Sequence, residues 1–375
     1  MRILIIKTSS LGDIIHTLPA VTDAARVFPG IRFDWVVEEA FAEIPAWHPA
    51  VDRVIPVALR RWRKHPLKAR QSGEWRAFRQ AISSVEYDAV IDAQGLLKSA
   101  WLSCYARSTV HGLDRHSARE PLASLLYRHR HAVPWGRHAV LRVRELFADV
   151  LGYSLPPDAH SDRDGAEPAG ASAYGLDHER VLATAAHRPD TGKPYLVFLH
   201  GTTWDTKHWP EIYWRQLVER ASANGWQVRL PWGSITEHER ADRIVAGIAG
   251  ASVLPRLTLT DLAAELAEAR ACVAVDTGLG HLAAALDIPT LSLFGPTNPG
   301  YTGAWGRSQV HLAADFDCAP CLQKDCSYKP TAEDRSRFDL ETEHPLCFTR
   351  LAPAQVWSAL ETLLERRLDS TKDSA

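Results

Sequence analysis

The chain has 375 residues, 46% apolar and 23% charged, with 43 Lys+Arg against 45 Asp+Glu. That is the composition of a folded globular protein long enough for two or three domains, and it excludes disorder, a collagen-like repeat and a small disulfide scaffold. Near-neutrality argues against a general nucleic-acid binder, yet the charge is uneven: residues 1–150 carry 22 basic and 15 acidic residues (net +7), and residues 151–375 carry 21 and 30 (net −9).

At the N-terminus, four apolar residues stand between Arg2 and Lys7. A signal-peptide core needs ~7–15. No run approaches the ~18 apolar residues of a membrane helix, so a cytosolic location is expected. In that compartment the six cysteines should be thiols or metal ligands. Ile3–Ile6, Phe33–Val37 and Ala89–Asp92 read as buried strands, and Ile14–Val27 and Ala139–Leu151 as helices. The run from Arg53 to Arg79 holds nine basic residues and one acid, Glu74. It is either a solvated face or a surface for a polyanion.

Residues 161–193 read as an interdomain connection, with a short helix around Leu182–Ala186. A second alternating series follows: strands Tyr195–Leu199, Gln227–Leu230, Cys272–Val275 and Thr290–Phe294, with helices Glu211–Ala223, Glu237–Ile248, Leu259–Ala267 and Gly280–Leu286. Pro353–Arg367 closes the chain as a helix, its proline suited to the first turn. The expected organisation is α/β: a domain at 1–160, the connection, a domain at 194–350, and a helix and tail at 351–375. Two Rossmann-like domains facing each other across a cleft is the economical architecture.

In open α/β sheets ligands collect beyond the carboxyl ends of strands. Lys7-Thr8-Ser9-Ser10-Leu11-Gly12-Asp13 follows the first strand and lacks the spaced glycines of a P-loop. Asp13 can be a helix cap or a general base. Asp276-Thr277-Gly278 occurs once, whereas aspartic-protease chemistry needs two such carboxylates. Gly278-x-Gly280-x-x-Ala283 fits a relaxed dinucleotide fingerprint, and with it an NAD-dependent oxidoreductase. Phe294-Gly295-Pro296-Thr297 lacks the ribose-binding acid that reading needs, which leaves a phosphate-binding helix N-terminus. Thr202, Thr203 and Lys207 could bind phosphate through hydroxyls and a cation, and Glu237 could accept from a ribose.

Taken together, Lys7–Asp13, Arg60-Arg61-Trp62-Arg63-Lys64, Asp92–Ser99, Ala118–Ser124, Lys207-His208-Trp209-Pro210 and Asp276–Leu282 resemble the lipopolysaccharide heptosyltransferases, and among them the heptosyltransferase I group. The resemblance spans roughly residues 1–310. It implies a GT-B fold, the closing helix packing back on the N-terminal domain, and metal-independent, inverting transfer of L-glycero-D-manno-heptose from ADP-heptose to Kdo of Kdo2-lipid A, without a cofactor. It implies Asp13 as general base and Lys207 as a catalytic cation, with Thr202, Thr203, Lys207, Thr277, Gly278 and His281 on the diphosphate. Glu237 and Asp276 would meet ribose and heptose hydroxyls, and Leu257 the adenine side. Acceptor contacts would be Ser9, Ser10, Arg60, Arg61, Arg63, Lys64, Lys98 and Arg119, since guanidinium groups suit carboxylates and phosphates. The protein would lie at the cytoplasmic face of the inner membrane, held to an anionic leaflet by electrostatics rather than insertion, with no nucleic-acid partner. Heptosyltransferase II, which takes a heptosylated acceptor, is the rival within the fold. Cys318-x2-Cys321-x4-Cys326 with Cys347 offers either half of a zinc site or plain thiols.

Overall fold

A computed structural model describes residues 1–155, 173–176 and 178–372. The chain divides into two compact units, Met1–Arg180 and Val181–Ala375. Of the expected connection at 161–193, residues 161–172 and 177 lie outside the described residues, and the helix His178–Thr184 occupies part of the rest.

The first unit is built on a six-stranded parallel sheet of β1 (Arg2–Ile6), β2 (Arg32–Glu38), β3 (Val51–Val57), β4 (Ala89–Asp92), β5 (Val110–Leu113) and β6 (His129–His131), in the order β3-β2-β1-β4-β5-β6. β1 is central because Ile3 to Ile6 are fully buried, as a strand covered on both faces must be. Ile6 pairs with Val36 on one side and Asp92 on the other, so the exit loops of β1 and β4 lie side by side. The chain reverses its winding between these two strands, the switch point where such sheets bind ligands.

The second unit repeats the plan with β7 (Tyr195–Leu199), β8 (Gln227–Leu230), β9 (Ala251–Val253), β10 (Ala271–Val275), β11 (Thr290–Phe294) and β12 (Gln309–Ala313), in the order β12-β11-β10-β7-β8-β9. Ala274 pairs with Leu199 and Ser292, which gathers the exits of β7, β10 and β11 around Asp276. The last described element is the helix Pro353–Lys372. Its face of Val356, Trp357, Leu360 and Leu363 joins the core of the second unit, beside Trp214, Leu217 and Ala221 of the helix Glu211–Ala223. The apolar stripe is matched by that neighbouring stripe. Among the described residues, no helix is long and apolar enough to cross a membrane.

The basic segment of the first unit folds as three helices, Leu59–Lys64, Pro66–Gln71 and Glu74–Ser83. Arg53 is not part of its open charge. With Arg2, it pairs with fully buried Asp34, at 2.8 Å each.

Candidate active site

In the first unit the loop after β1 is fixed by the loop after β4. Gln94 Oε1 accepts from the Thr8 N–H (2.6 Å), the Thr8 hydroxyl (2.9 Å) and the Ser9 N–H (3.3 Å), and its amide donates back to the Ser9 carbonyl. Buried Lys7 donates to the Ala93 carbonyl at 2.8 Å. Burial lowers the Lys7 pKa, while the nearby carboxylates Asp13 and Asp92 work against that shift.

Asp13 stands in the first turn of the helix Leu11–Ile15, whose cap is Ser10. Its Oδ2 accepts from the Ser10 N–H (2.7 Å) and hydroxyl (2.8 Å), closing a capping box. The cap position therefore belongs to Ser10. The two bonds orient the Asp13 carboxylate through one oxygen and do not engage the other, which is where a base would act.

Lys98 donates to Ser9 Oγ at 3.1 Å. Partial burial lowers its pKa, Glu38 and Glu120 oppose this, and Arg60 and Arg63 reinforce it, which brings these side chains into one field. Arg60 lies over the Phe41 ring, 5.6 Å from its centroid. Arg63, Lys64, Arg119 and Ser10 are exposed. Arg61 differs from this group. It holds Glu39 (2.9 and 3.1 Å) and Glu74 (2.9 and 3.0 Å), and both carboxylates raise its pKa. Its fork therefore organises the basic segment, leaving Arg60, Arg63 and Lys64 to present charge outward.

In the second unit, Lys207 Nζ pairs with Asp276 Oδ2 at 2.7 Å, and the Thr297 hydroxyl donates to the same oxygen at 2.7 Å. The Lys207 ammonium also lies 4.4 Å from the Trp204 ring centroid, and Lys324 approaches that ring at 5.7 Å. Thr202 donates to the Asp276 carbonyl at 3.2 Å, while Thr203 is exposed. Thr277 caps the helix Gly278–Ala285 in extended backbone conformation, and buried His281 lies one turn in. This helix end offers first-turn backbone N–H groups and the positive end of a dipole beside a lysine, an arrangement that can bind phosphate.

Glu237 caps its own helix, accepting from the Gly233 N–H at 2.7 Å and the Ser234 N–H at 3.2 Å. A Cβ at Gly201 would stand 2.9 Å from Glu237 Oε1, so a glycine there lets the carboxylate reach the loop after β7. Leu257 lies half-buried in the segment between β9 and the helix Leu259–Ala267. Gln94, Thr297, Trp204 and Lys324 had escaped sequence reasoning as site residues. Gln94 and Thr297 stood inside quoted motifs, and only strand pairing reveals what their polar ends reach.

Cys318, Cys321, Cys326 and Cys347 are free thiols. Burial, and then the neighbouring Cys318, Cys326 and Cys321, push the Cys347 thiol up to about 12. Among the described residues no group of three or more His, Cys, Asp or Glu is arranged to hold a metal ion.

The model of glycosyltransferase family 9 (heptosyltransferase) matches residues 75–332. Lipopolysaccharide heptosyltransferase 1 of Pseudomonas aeruginosa is 66% identical over 365 residues, covering 97% of this chain and 98% of that one. Among solved structures, the E. coli heptosyltransferase WaaC with ADP superposes with a TM-score of 0.75 at 50% identity, covering 84% of this chain and 93% of that one. The same enzyme with ADP-2-deoxy-2-fluoro heptose gives 0.73 at 49% identity, with the same coverage of 84% and 93%. Identity over nearly the whole length, together with the paired α/β units of a GT-B fold, settles the assignment: the chain belongs to glycosyltransferase family 9, the heptosyltransferases.

Proposed function

We propose that this glycosyltransferase moves L-glycero-D-manno-heptose from ADP-heptose to a Kdo hydroxyl of Kdo2-lipid A, with inversion and with no metal ion or cofactor. The observation that carries the reading is 66% identity, over 97% of the chain, to a lipopolysaccharide heptosyltransferase 1. Asp13 takes the proton from the Kdo hydroxyl as its oxygen bonds to the anomeric carbon and the bond from that carbon to the ADP oxygen breaks. Charge growing on ADP is met by Lys207, Thr202 and Thr203, by Thr277 and Gly278 at the helix end, and by His281.

Lys207 is already paired with Asp276 in the described structure. An arriving diphosphate exchanges into that pair, and Asp276, still held by Thr297, becomes an acceptor for a heptose hydroxyl. Glu237 accepts from the ribose and Leu257 packs on the adenine side. Ser9, Ser10, Arg60, Arg63, Lys64, Lys98 and Arg119 meet the carboxylates and phosphates of the acceptor, and Arg61 supports them. The enzyme works in the cytoplasm at the inner face of the inner membrane.

Incubation with ADP-heptose and Kdo2-lipid A, followed by mass analysis of the lipid, tests this. One added heptose is the expected result. Transfer confined to heptosyl-Kdo2-lipid A would assign the enzyme to the second heptose instead, and binding of NAD but not ADP would remove the donor.

A further inference from the structure

The short 3-10 helix Pro121–Leu126 is folded inside out. Ala123 and Ser124 are its buried residues, whereas Leu122 and Leu125 are 61 and 68% exposed and Leu126 also faces solvent. An ordinary surface turn turns its leucines inward. Here the Arg130 guanidinium, donating to the Ser124 carbonyl at 2.8 Å, holds the turn with its leucines out.

The turn packs beside the helix Leu97–Ser103, and Glu120 Oε2 accepts the Leu97 N–H at 2.7 Å to join the two. That helix also presents large apolar groups: Leu97 and Trp101, one turn apart, are both exposed. Trp101 stacks on Trp75 at 4.9 Å with the rings 4° from parallel, and Tyr105 stands edge-on to both. Arg79 lies over the Tyr105 ring at 4.9 Å. The result is a ridge of leucines running into a belt of tryptophan and tyrosine. The same elements and their flanks carry the exposed cations Lys98, Arg119, Arg128, Arg76 and Arg79, with the acids Glu120 and Glu74 among them.

We propose that this ridge enters the interfacial region of an anionic bilayer, with Leu122 and Leu125 as the inserted side chains. Apolar residues at a tip, amphipathic rings behind them and cations at the flanks match the depth profile of a bilayer, from acyl boundary to headgroup to anionic surface. A cationic rim around apolar side chains is the complement of an acidic lipid surface. The inference rests on the reading that the acceptor is a lipid, and it replaces purely electrostatic attachment with two signals, charge and insertion. Charge alone gives attachment that salt dissolves, and the leucines make it salt-resistant.

The test compares the intact enzyme with the variant L122S/L125S on vesicles of phosphatidylglycerol and phosphatidylethanolamine. The side chains are exposed, so the variant should keep the wild-type melting temperature. Co-sedimentation should fall roughly tenfold for each leucine, and the remainder should become salt-sensitive. Turnover on a deacylated, water-soluble acceptor should equal that of the wild type, while turnover on vesicle-embedded acceptor falls. Equal vesicle binding by variant and wild type overturns the proposal. So does a wild-type dimer that the variant converts to monomer with vesicle binding unchanged, since the ridge would then serve a second copy. If vesicle binding is lost in the variant but neither protein transfers heptose, the surface stands and the acceptor assignment falls.

Discussion

Counted from its own first strand, the second sheet has the strand order of the first, and in both units the candidate site residues lie in loops beside the switch point. The handling of charge differs. In the second unit Lys207, Asp276 and Thr297 form a closed set at 2.7 Å. In the first unit Lys98 reaches a neutral hydroxyl, Ser9 Oγ, and shares its surroundings with Arg60 and Arg63. A closed set gives directional contacts in a fixed geometry, suited to one small anion such as a diphosphate. An open cationic field acts at longer range and tolerates a large, variable acidic partner. On the proposed function, one fold would serve two kinds of recognition by changing how its loop charges are partnered.

The sharpest way to break this comparison is at Asp13. Asp13→Asn keeps an oxygen for the Ser10 bonds and removes the base, so turnover should fall by roughly 10²–10⁴-fold. ADP affinity, measured by calorimetry, and melting temperature should stay near wild type. Retained turnover would make Asp13 a cap alone.

Next in size is a stability effect. Arg144 holds Asp23 at 2.6 Å, with side chains 4 and 2% exposed, and ties the helix Ala139–Leu151 to the helix Leu18–Val27. Asp23→Ala strands a buried guanidinium and should cost about 3–5 kcal/mol in urea unfolding. The second unit has a counterpart in Arg229 and fully buried Glu265, at 2.6 Å.

Lys207→Met should lower kcat/KM for the donor by roughly a hundredfold. Combining it with Asp276→Asn should cost less than the sum, because the two groups act as a pair. Additive losses would separate them. The smallest effect belongs to the open field: Arg63→Ala should raise acceptor KM by roughly threefold at low salt and by less at high salt. Arg61→Ala, which removes a fork already engaged by Glu39 and Glu74, should show a weaker salt dependence.

What could be read from the sequence follows burial. Ile3–Ile6 and Tyr195–Leu199 announce themselves because central parallel strands are apolar on both faces. His129–His131 and Ala251–Val253 are edge strands of three residues, held by backbone pairing that leaves no hydrophobic pattern. Ile14–Val27 reads as one helix but is two, Leu11–Ile15 and Leu18–Val27, because Pro19 sits in the first turn of the second. The periodicity of Pro353–Arg367 reveals an apolar face, and Val356, Trp357, Leu360 and Leu363 on it join a core cluster. Asp13, Lys207 and Asp276 were legible as polar residues in loops after strands. Their partners were not: Thr297 meets Asp276 from the next strand exit, and Gln94 meets Thr8 across 86 positions. The basic run was legible only as a sum, since Arg53 and Arg61 are neutralised by acids distant in sequence.

The Thr206 hydroxyl donates to the Gln323 carbonyl at 2.6 Å across 117 positions, and the Leu322 N–H reaches the Pro296 carbonyl at 2.8 Å. The first bond braces the loop carrying Lys207 and the second the loop carrying Thr297, in each case with residues made late on the ribosome. All six strands of the first unit are complete by His131, so that unit can close while the second is still being translated. The donor loop gains its brace only after Gln323 has emerged, and its unit gains the core residues Val356 to Leu363 later still. Ribosome-stalled chains ending before Gln323 are therefore expected to fail to retain ADP, and those released at full length to hold it.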